Sequence, residues 1–326
     1  MLRWEKSAFP SGCFTLFLPL ICQFMSMDHQ QSVTISSAVV PKWREYMALM
    51  KLRLSSSVVF SSVIGYLLGA SSVRFLDLTI LTLGGVMVTG AANAFNQVIE
   101  KVQDSKMNRT AQRPVASGRL SVNEALIVAF VLSILGLGLL YSLNFLTFIF
   151  GAASVVLYAL VYTPLKAKTS FAVFVGAFPG AIPIMLGWVA ATGRFGVEPG
   201  TLFAWQFLWQ FPHFWAIAWL LHNDYAKAGY VLLPSGKPDR ASAFQAVLYA
   251  SGLLGLVLLP YFGLAGRFVV SAPATALTFF LGLVLVYRAW VLFRKLDHAS
   301  ARKLMLYSIV YLTLTQIIWV VDHFIG

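Results

Sequence analysis

Charged residues are scarce in this sequence. Only 11% of its 326 residues are Asp, Glu, Lys or Arg, and 59% are hydrophobic, whereas a soluble globular domain usually carries roughly 25% charged residues. The hydrophobic residues fall in long runs separated by short polar loops, which indicates membrane spans rather than one soluble core. Because backbone polar groups in hydrocarbon must be paired within the segment, these runs predict an all-α polytopic membrane protein.

Cysteine is equally scarce. Cys13 and Cys22 are the only two, and they have no metal-ligand spacing, which argues against a disulfide framework and a structural zinc site. The net charge is +12, which in a soluble protein would favour nucleic acid as a partner. Here the basic residues fall in loops between apolar runs and no nucleic-acid-binding motif is present. The lipid bilayer is therefore the expected partner, and nucleic acid is not.

The first forty residues leave two interpretations open. Two basic residues precede a short apolar run, as in a signal peptide, but no Ala-x-Ala-like cleavage site follows and the run is too short to span a bilayer. A start codon assigned too early, with Met25 or Met27 as the true start, explains the segment equally well. We predict an amino-terminal segment at 1–40 of unassigned status and a single membrane domain at 41–326.

Nine apolar stretches are long enough to cross a bilayer as helices. They predict a bundle of about nine transmembrane helices, and glycine is frequent within them, which suits close helix contact in lipid. The predicted spans are 54–70, 78–99, 125–142, 145–163, 171–192, 202–221, 244–262, 274–290 and 304–324.

The distribution of basic residues predicts the orientation of these spans. Beyond the first forty residues, Lys and Arg lie in the segment 42–53 and in the loops after the even-numbered spans, except for Arg74, Arg194 and Arg267 on the other side. Positively charged loops stay on the cytoplasmic side or its organellar equivalent. We expect the amino terminus inside, and the polar motifs on the cytoplasmic or matrix side of a bacterial or mitochondrial inner membrane.

One polar segment follows the second span directly. Asn96, Glu100 and Asp104 are spaced four apart, so on a helix their oxygen atoms share one face. Such hard oxygen ligands suit Mg²⁺, which typically takes one or two carboxylates and completes its shell with water and substrate phosphates. The alternative is a solvated loop whose charges only set topology, but carboxylates at a membrane border are costly and usually functional.

Basic residues accompany this acidic stripe. Lys106, Arg109 and Arg113 follow it closely, and Lys166 comes at the end of the fourth span, after Tyr162. This arrangement suits a diphosphate that Mg²⁺ bridges to the carboxylates while the cations hold its remaining oxygens. At the end of the fourth span, interface anchoring by tyrosine and lysine is the alternative interpretation.

The sixth span carries a second polar set. His213 lies among four tryptophans, and Asp224 follows eleven residues later, which is roughly 16 Å along a helix axis. One helix would thus place an imidazole deep in the bundle and a second metal-facing carboxylate at the cytoplasmic edge. For His213 three interpretations stay open: a hydrogen-bonded packing residue, a contact to the acceptor, or a metal ligand.

These motifs together resemble those of a known family. The pattern Asn-Gln-x-x-Glu-x-x-x-Asp-x-x-Met-x-Arg-Thr-x-x-Arg-Pro at 96–114 is similar to the first signature of the haem O synthases. These protohaem IX farnesyltransferases belong to the intramembrane aromatic prenyltransferase superfamily. Three further stretches agree in order and spacing, at 162–166, 176–188 and 209–225. The resemblance runs from about residue 41 to the last span, so it implies a single intramembrane prenyltransferase domain at 41–326.

The resemblance implies a nine-helix bundle around a central cavity, in which a farnesyl group passes from farnesyl diphosphate to a vinyl group of haem b. The product would be haem O, and a haem A synthase is a candidate partner. By position, the resemblance assigns the Mg²⁺–diphosphate ligands Asn96, Glu100, Asp104 and Asp224, and the diphosphate-binding cations Arg109, Arg113 and Lys166. We further predict that His213 contacts haem.

The chain departs from the superfamily pattern at two places. Many members have a further acid directly after the asparagine, where this chain has Gln97, and two or more acids in the second motif, where Asp224 stands alone. These departures favour the haem O synthases over quinone prenyltransferases and leave the number of Mg²⁺ ions open. Two alternative functions remain: a sister prenyltransferase acting on a quinone precursor or aromatic acid, and a membrane transporter, which would also explain intramembrane polar residues.

Overall fold

The computed structural model describes residues 41–325. Our interpretations of the segment 1–40 lie outside the described residues. Within the described part, every regular element is a helix, as expected where hydrocarbon offers no partners for backbone polar groups. The predicted all-α polytopic membrane fold is confirmed.

Nine long helices in the described part each overlap one predicted span, with ends that differ by up to about seven residues. They are α2 (Leu52–Gly69), α3 (Phe75–Ile99), α5 (Val122–Leu143), α6 (Phe145–Val156), α7 (Ala172–Thr192), α8 (Val197–Leu220), α10 (Arg240–Leu258), α11 (Ala272–Lys295) and α12 (His298–Ile325). The helix α6 continues through a π-helical turn (Leu157–Tyr162) to Thr163–Leu165. Three short helices complete the described elements: α1 (Lys42–Met50), α4 (Lys101–Lys106) and α9 (His222–Lys227).

Eight of these helices, all except α8 in the described part, are long and apolar enough to cross a membrane. The helix α8 has sufficient length, but it contains Gln206, Gln210 and His213 as well as four tryptophans. Its tryptophans are buried in the largest apolar cluster, which also includes residues of α2, α7 and α10 to α12. The predicted count of about nine spans therefore stays approximate, because α8 is enclosed by other helices and is less apolar than they are.

Side-chain caps set where several helices begin. Ser121 accepts a hydrogen bond from the Glu124 backbone N–H at the start of α5. At the start of α6, the Asn144 side chain accepts a hydrogen bond from the Thr147 backbone N–H. Asn144 is the single residue between α5 and α6. Such side chains satisfy N–H groups that have no partner within the helix. The single-residue connection makes α5 and α6 antiparallel neighbours.

The helices α2 and α7 touch backbone to backbone. A Cβ atom at Gly187 would lie 1.8 Å from the Ser62 carbonyl oxygen, and one at Gly65 would lie 1.9 Å from the Ile184 carbonyl oxygen. Small residues permit this approach in membrane bundles, where packing rather than hydrophobic burial drives association. Because the long helices alternate in direction, the α1–α2 junction, the end of α3, the end of α6 and the segment after α8 meet at one end of the bundle.

Candidate active site

The predicted acidic stripe lies at the junction of α3 and α4. The helix α3 ends at Ile99, but backbone hydrogen bonds of the helical type continue across the junction. Glu100 N donates to Asn96 O at 2.9 Å, and Asp104 N donates to Glu100 O at 2.7 Å. The Asn96 side chain also donates to Glu100 Oε2 at 2.8 Å. The three predicted residues therefore lie along one side of the junction, and all three are buried.

Glu100 is surrounded by donors from distant parts of the chain. It forms an ion pair with Lys166, and Tyr230 donates its hydroxyl to Glu100 Oε1 at 2.9 Å. Burial opposes the ionised form of this carboxyl, but the Lys166 ammonium and the hydrogen bonds from Lys166, Tyr230 and Asn96 outweigh burial and hold the pKa of Glu100 below its usual value. Glu100 is therefore a buried carboxylate that stays ionised.

The Lys166 ammonium lies between two aromatic rings. Its nitrogen is 4.8 Å from the centre of the Tyr162 ring and 5.5 Å from that of Tyr230, which is within cation–π range. Burial lowers the pKa of Lys166, whereas its Glu100 partner raises it, and burial prevails. The ammonium is buried and paired with Glu100, and the role of this span end in binding an anion stays a prediction.

Asp104 is held by one arginine. Arg113 Nη1 donates to both carboxylate oxygens, at 2.8 and 2.7 Å. The carboxylate is fully buried and the arginine side chain is 18% exposed. The intervening segment folds back, with the Thr110 hydroxyl donating to Asp104 O at 2.9 Å. The predicted acid and the predicted diphosphate cation are thus already paired.

Asp224 contacts the first motif from the other side. Its carboxylate accepts hydrogen bonds from the backbone N–H groups of Asn108 at 2.8 Å and Arg109 at 3.3 Å. Burial raises the pKa of Asp224, but these N–H groups and Lys227 lower it by more. The structure therefore brings the two predicted motifs together, although Asp224 contacts the backbone after Asp104 rather than its carboxylate.

The remaining predicted residues differ in their surroundings. Lys106 and Arg109 are exposed, so they border the site rather than fill it. His213 hydrogen bonds through Nδ1 to Ser308 Oγ at 2.8 Å and stacks on Trp209 with ring centres 4.8 Å apart. These contacts match the packing interpretation of His213, and its predicted contact with haem stays a prediction.

Sequence reasoning missed three residues of the site. Lys51 donates to Asn96 Oδ1 at 3.3 Å, and Thr163 Oγ1 accepts from Asn96 Nδ2 at 3.1 Å. Tyr230 donates to Glu100, as described above. Burial, reinforced by nearby Arg113 and Lys166, places the pKa of Lys51 well below its usual value. The sequence offers one signal for Lys51, its place directly before the first span, and that position alone predicts only a topology residue.

The donor chemistry of this cluster fits Mg²⁺ bound together with a phosphate-bearing substrate. Among residues 41–325, no three His, Cys, Asp or Glu side chains are grouped closely enough to hold a metal ion by themselves. Mg²⁺ does not require such a cage, because it is usually held by one or two carboxylates, water and substrate phosphates. Glu100 and Asp104 would supply hard oxygen ligands, and Lys166 and Arg113 would supply cations for the phosphate oxygens.

A family model places this arrangement among known proteins. The model of the UbiA prenyltransferase family matches residues 58–314, which is well over half of the chain. The chain belongs to the UbiA prenyltransferase family and is an integral membrane protein.

Relatives with assigned names are similar over nearly their whole length. The protoheme IX farnesyltransferase of Christiangramia forsetii is 50% identical over 290 residues, which cover 89% of this chain and 96% of that protein. The protoheme IX farnesyltransferase of Flavobacterium johnsoniae is 51% identical over 284 residues, covering 86% and 95%.

Solved structures share the fold at low sequence identity. A digeranylgeranylglyceryl phosphate synthase superposes with a TM-score of 0.72 at 18% identity, covering 86% of this chain and 98% of that one. A UbiA homologue from Archaeoglobus fulgidus, bound to GPP and Mg²⁺, superposes with a TM-score of 0.61 at 12% identity, covering 84% and 99%. These likenesses show that the chain shares the helical-bundle fold of these proteins.

Proposed function

We propose that this protein transfers the farnesyl group of farnesyl diphosphate to a vinyl group of haem b, giving haem O and releasing diphosphate. The observation that carries the donor half is the pair of buried carboxylates, Glu100 and Asp104, each matched to a basic side chain. Buried ion pairs contribute little net stability, because both charged groups lose their hydration. These two pairs suit a site where the carboxylates bind a divalent cation and the basic side chains bind a polyanion.

The basic residues bind and orient the diphosphate. Lys166 and Arg113 point into the cluster and would hold phosphate oxygens, while Arg109 and Lys106 at the exposed border would attract the anion from the inner side of the membrane. Asn96, Glu100, Asp104 and Asp224 are the proposed Mg²⁺ ligands. Mg²⁺, when bound, would act as a Lewis acid on the leaving diphosphate.

The reaction breaks the bond between farnesyl C1 and the diphosphate oxygen and forms one between C1 and the terminal vinyl carbon of haem b. Water adds to the other vinyl carbon, and its proton leaves with the diphosphate. The cations of this chain stabilise charge as it develops on the leaving group. A central cavity, which stays a prediction, would keep water away from the allylic cation until the carbon–carbon bond has formed.

The acceptor half of the proposal is supported by relatives. Proteins named protoheme IX farnesyltransferase are about half identical to this chain over nearly their full length. The loops at the end of the bundle that holds the site are rich in Lys and Arg, and such loops stay on the inner side of the membrane. We therefore place the site on the cytoplasmic or matrix side of a bacterial or mitochondrial inner membrane, with the amino terminus inside. A haem A synthase as the receiver of haem O is part of the same proposal.

A product analysis tests the proposal directly. Purified protein is incubated with farnesyl diphosphate, Mg²⁺ and either haem b or 4-hydroxybenzoate, and the products are weighed by mass spectrometry. We expect a hydroxyethylfarnesyl haem in the first mixture and unchanged benzoate in the second. Farnesylation of the benzoate and not of haem would identify a sister prenyltransferase instead. Substrate-dependent flux across vesicles without turnover of any donor would favour a transporter.

A further inference from the structure

The junction between α1 and α2 holds a lysine in an unusual conformation. Lys51 has φ 49° and ψ 56°, so its backbone is left-handed, which glycine adopts far more readily. Leu296 is the one other non-glycine residue with positive φ in the part of the chain that the structure describes. A lysine at such a position indicates that its side chain is needed there or that its surroundings force the turn.

Two amides of α3 fix this junction. Asn93 Nδ2 donates to Met50 O at 3.2 Å, and Gln97 Nε2 donates to Leu49 O at 3.0 Å. The accepting carbonyls lie at the end of α1, where helices have no internal partners for them. Both amides are buried. Gln97, which stands where many superfamily members have an acid, is thus a donor that anchors the turn carrying Lys51.

The Lys51 ammonium is directed at the ligand stripe. Its nitrogen donates to Asn96 Oδ1 at 3.3 Å, and among the described residues no carboxylate lies within ion-pair distance of it. Arg113 and Lys166 are close enough to repel it, and each of them already has a carboxylate partner. The described part of the cluster thus holds one basic side chain, Lys51, without a carboxylate partner, and a diphosphate would supply the missing anion.

We propose that Lys51 is a third cation for the diphosphate of the donor and that Gln97 positions it. The proposal rests on the proposed function for the nature of the donor. The diphosphate would receive the Lys51 ammonium on the side of the cluster next to Asn96. The conformation of the α1–α2 junction then serves binding rather than topology alone.

The test compares Lys51→Met with Lys51→Arg. Lys51→Met should raise both the KM for farnesyl diphosphate and the inhibition constant of inorganic diphosphate by about 10- to 100-fold, as expected for a lost charge-assisted hydrogen bond. The KM for haem b should change less than about twofold, and Lys51→Arg should recover most of the loss. The matched control is Lys42→Met, an exposed lysine of α1, which should leave both constants unchanged. Unchanged diphosphate inhibition in Lys51→Met would overturn the proposal.

The role of Gln97 is tested by coupling. Gln97→Glu keeps the side-chain size but turns the donor into an acceptor, and it should raise the KM for farnesyl diphosphate in the wild-type background. In the Lys51→Met background the same change should add little, because a positioning residue acts through Lys51. Fully additive effects would assign Gln97 a purely structural role and overturn its part of the proposal.

A measurement of diphosphate binding tests the role of Lys51 independently of whether haem b is the acceptor. Inorganic diphosphate with Mg²⁺ should raise the melting temperature of the wild-type protein and raise it less in Lys51→Met. If haem is not farnesylated but this difference persists, the proposed acceptor fails and the role of Lys51 stands. If haem is farnesylated and the two proteins respond equally to diphosphate, Lys51 is not a diphosphate ligand.

Discussion

Among the described residues, ion pairs with both side chains largely buried lie at one end of the helix bundle. At the end with the candidate active site, Asp104 is fully buried and 2.7 Å from Arg113. At the opposite end, Arg267 is 74% exposed and its nitrogen is 3.7 Å from Glu198. Both ends lie at a membrane border, and both contain a basic and an acidic residue in contact. The difference is that one pair has been withdrawn from solvent and the other has not.

This difference in burial helps to distinguish ion pairs that need a functional explanation from those that do not. An exposed pair contributes about 0–1 kcal/mol to stability and needs no further explanation. A buried pair loses its hydration, so hydrophobic residues of the same size would often stabilise the fold as well or better. Glu100 with Lys166 and Asp104 with Arg113 are therefore best explained by a ligand that uses these groups, whereas Glu198 with Arg267 needs no ligand.

The largest expected effect is that of Asp104→Asn. This change removes a proposed Mg²⁺ ligand and leaves Arg113 without its carboxylate, so turnover should fall by about a hundredfold to a thousandfold. The protein should still insert into the membrane, which size-exclusion chromatography of detergent extracts would check. Asp77→Asn at the opposite end is the control and should keep its activity. Near-normal turnover of Asp104→Asn would remove Asp104 from the metal site.

A second prediction separates stability from function at the buried pair of Glu100 and Lys166. Lys166→Met leaves a buried carboxylate without its cation and should cost roughly 3–5 kcal/mol of stability, with a KM for farnesyl diphosphate raised at least tenfold. Adding Glu100→Gln should restore the melting temperature but not the activity. Lys168→Met, an exposed lysine nearby, is the control. Recovery of activity in the double variant would mean that the pair is structural.

A smaller effect is expected from Tyr230→Phe. The Tyr230 hydroxyl helps to hold the pKa of Glu100 below its usual value. Removing this hydroxyl should shift the acid limb of the pH–activity profile to higher pH by about one unit. Ionised Glu100 stabilises the fold above its pKa in the unfolded chain, and this contribution is lost as pH falls through its folded-state pKa. The loss should therefore begin at a higher pH in the variant.

The control for this prediction is a second tyrosine whose hydroxyl donates a hydrogen bond to a glutamate. Tyr46 donates its hydroxyl to Glu124 at 2.6 Å, outside the charged cluster. Tyr46→Phe should leave the pH profile of activity unchanged. An equal displacement of the profile in both variants would show that the profile does not report on Glu100.

The local part of the site could be predicted from the sequence. Asn96 and Glu100 are four residues apart, so helical periodicity alone predicts their contact, and the structure contains it. The spans were predicted for a similar reason, since long apolar runs in a membrane protein have one backbone solution. The helix α8 is long enough to be predicted as a span, but its glutamines and histidine make it less apolar than the other long helices.

The long-range part of the site could not be predicted in this way. Tyr230 reaches Glu100 across 130 residues of sequence, and Lys51 reaches Asn96 across 45. These contacts depend on how helices pack, which periodicity within one helix does not contain. The resemblance to a family supplied Lys166 and Asp224 as members of one site, but it gave no sign of Lys51, whose left-handed backbone is visible only in the fold.

The smallest expected effect belongs to Arg267→Gln at the opposite end. Arg267 and Arg194 line an open groove of about 360 Å³ together with Trp188, and neither arginine is buried. Because the Arg267 side chain is mostly exposed, its loss should change the free energy of unfolding by less than about 0.5 kcal/mol and leave the KM for both substrates within twofold. Thermal unfolding and steady-state kinetics measure both. A tenfold loss of activity would break the comparison, because it would give a catalytic role to an exposed ion pair at the end of the bundle away from the candidate active site.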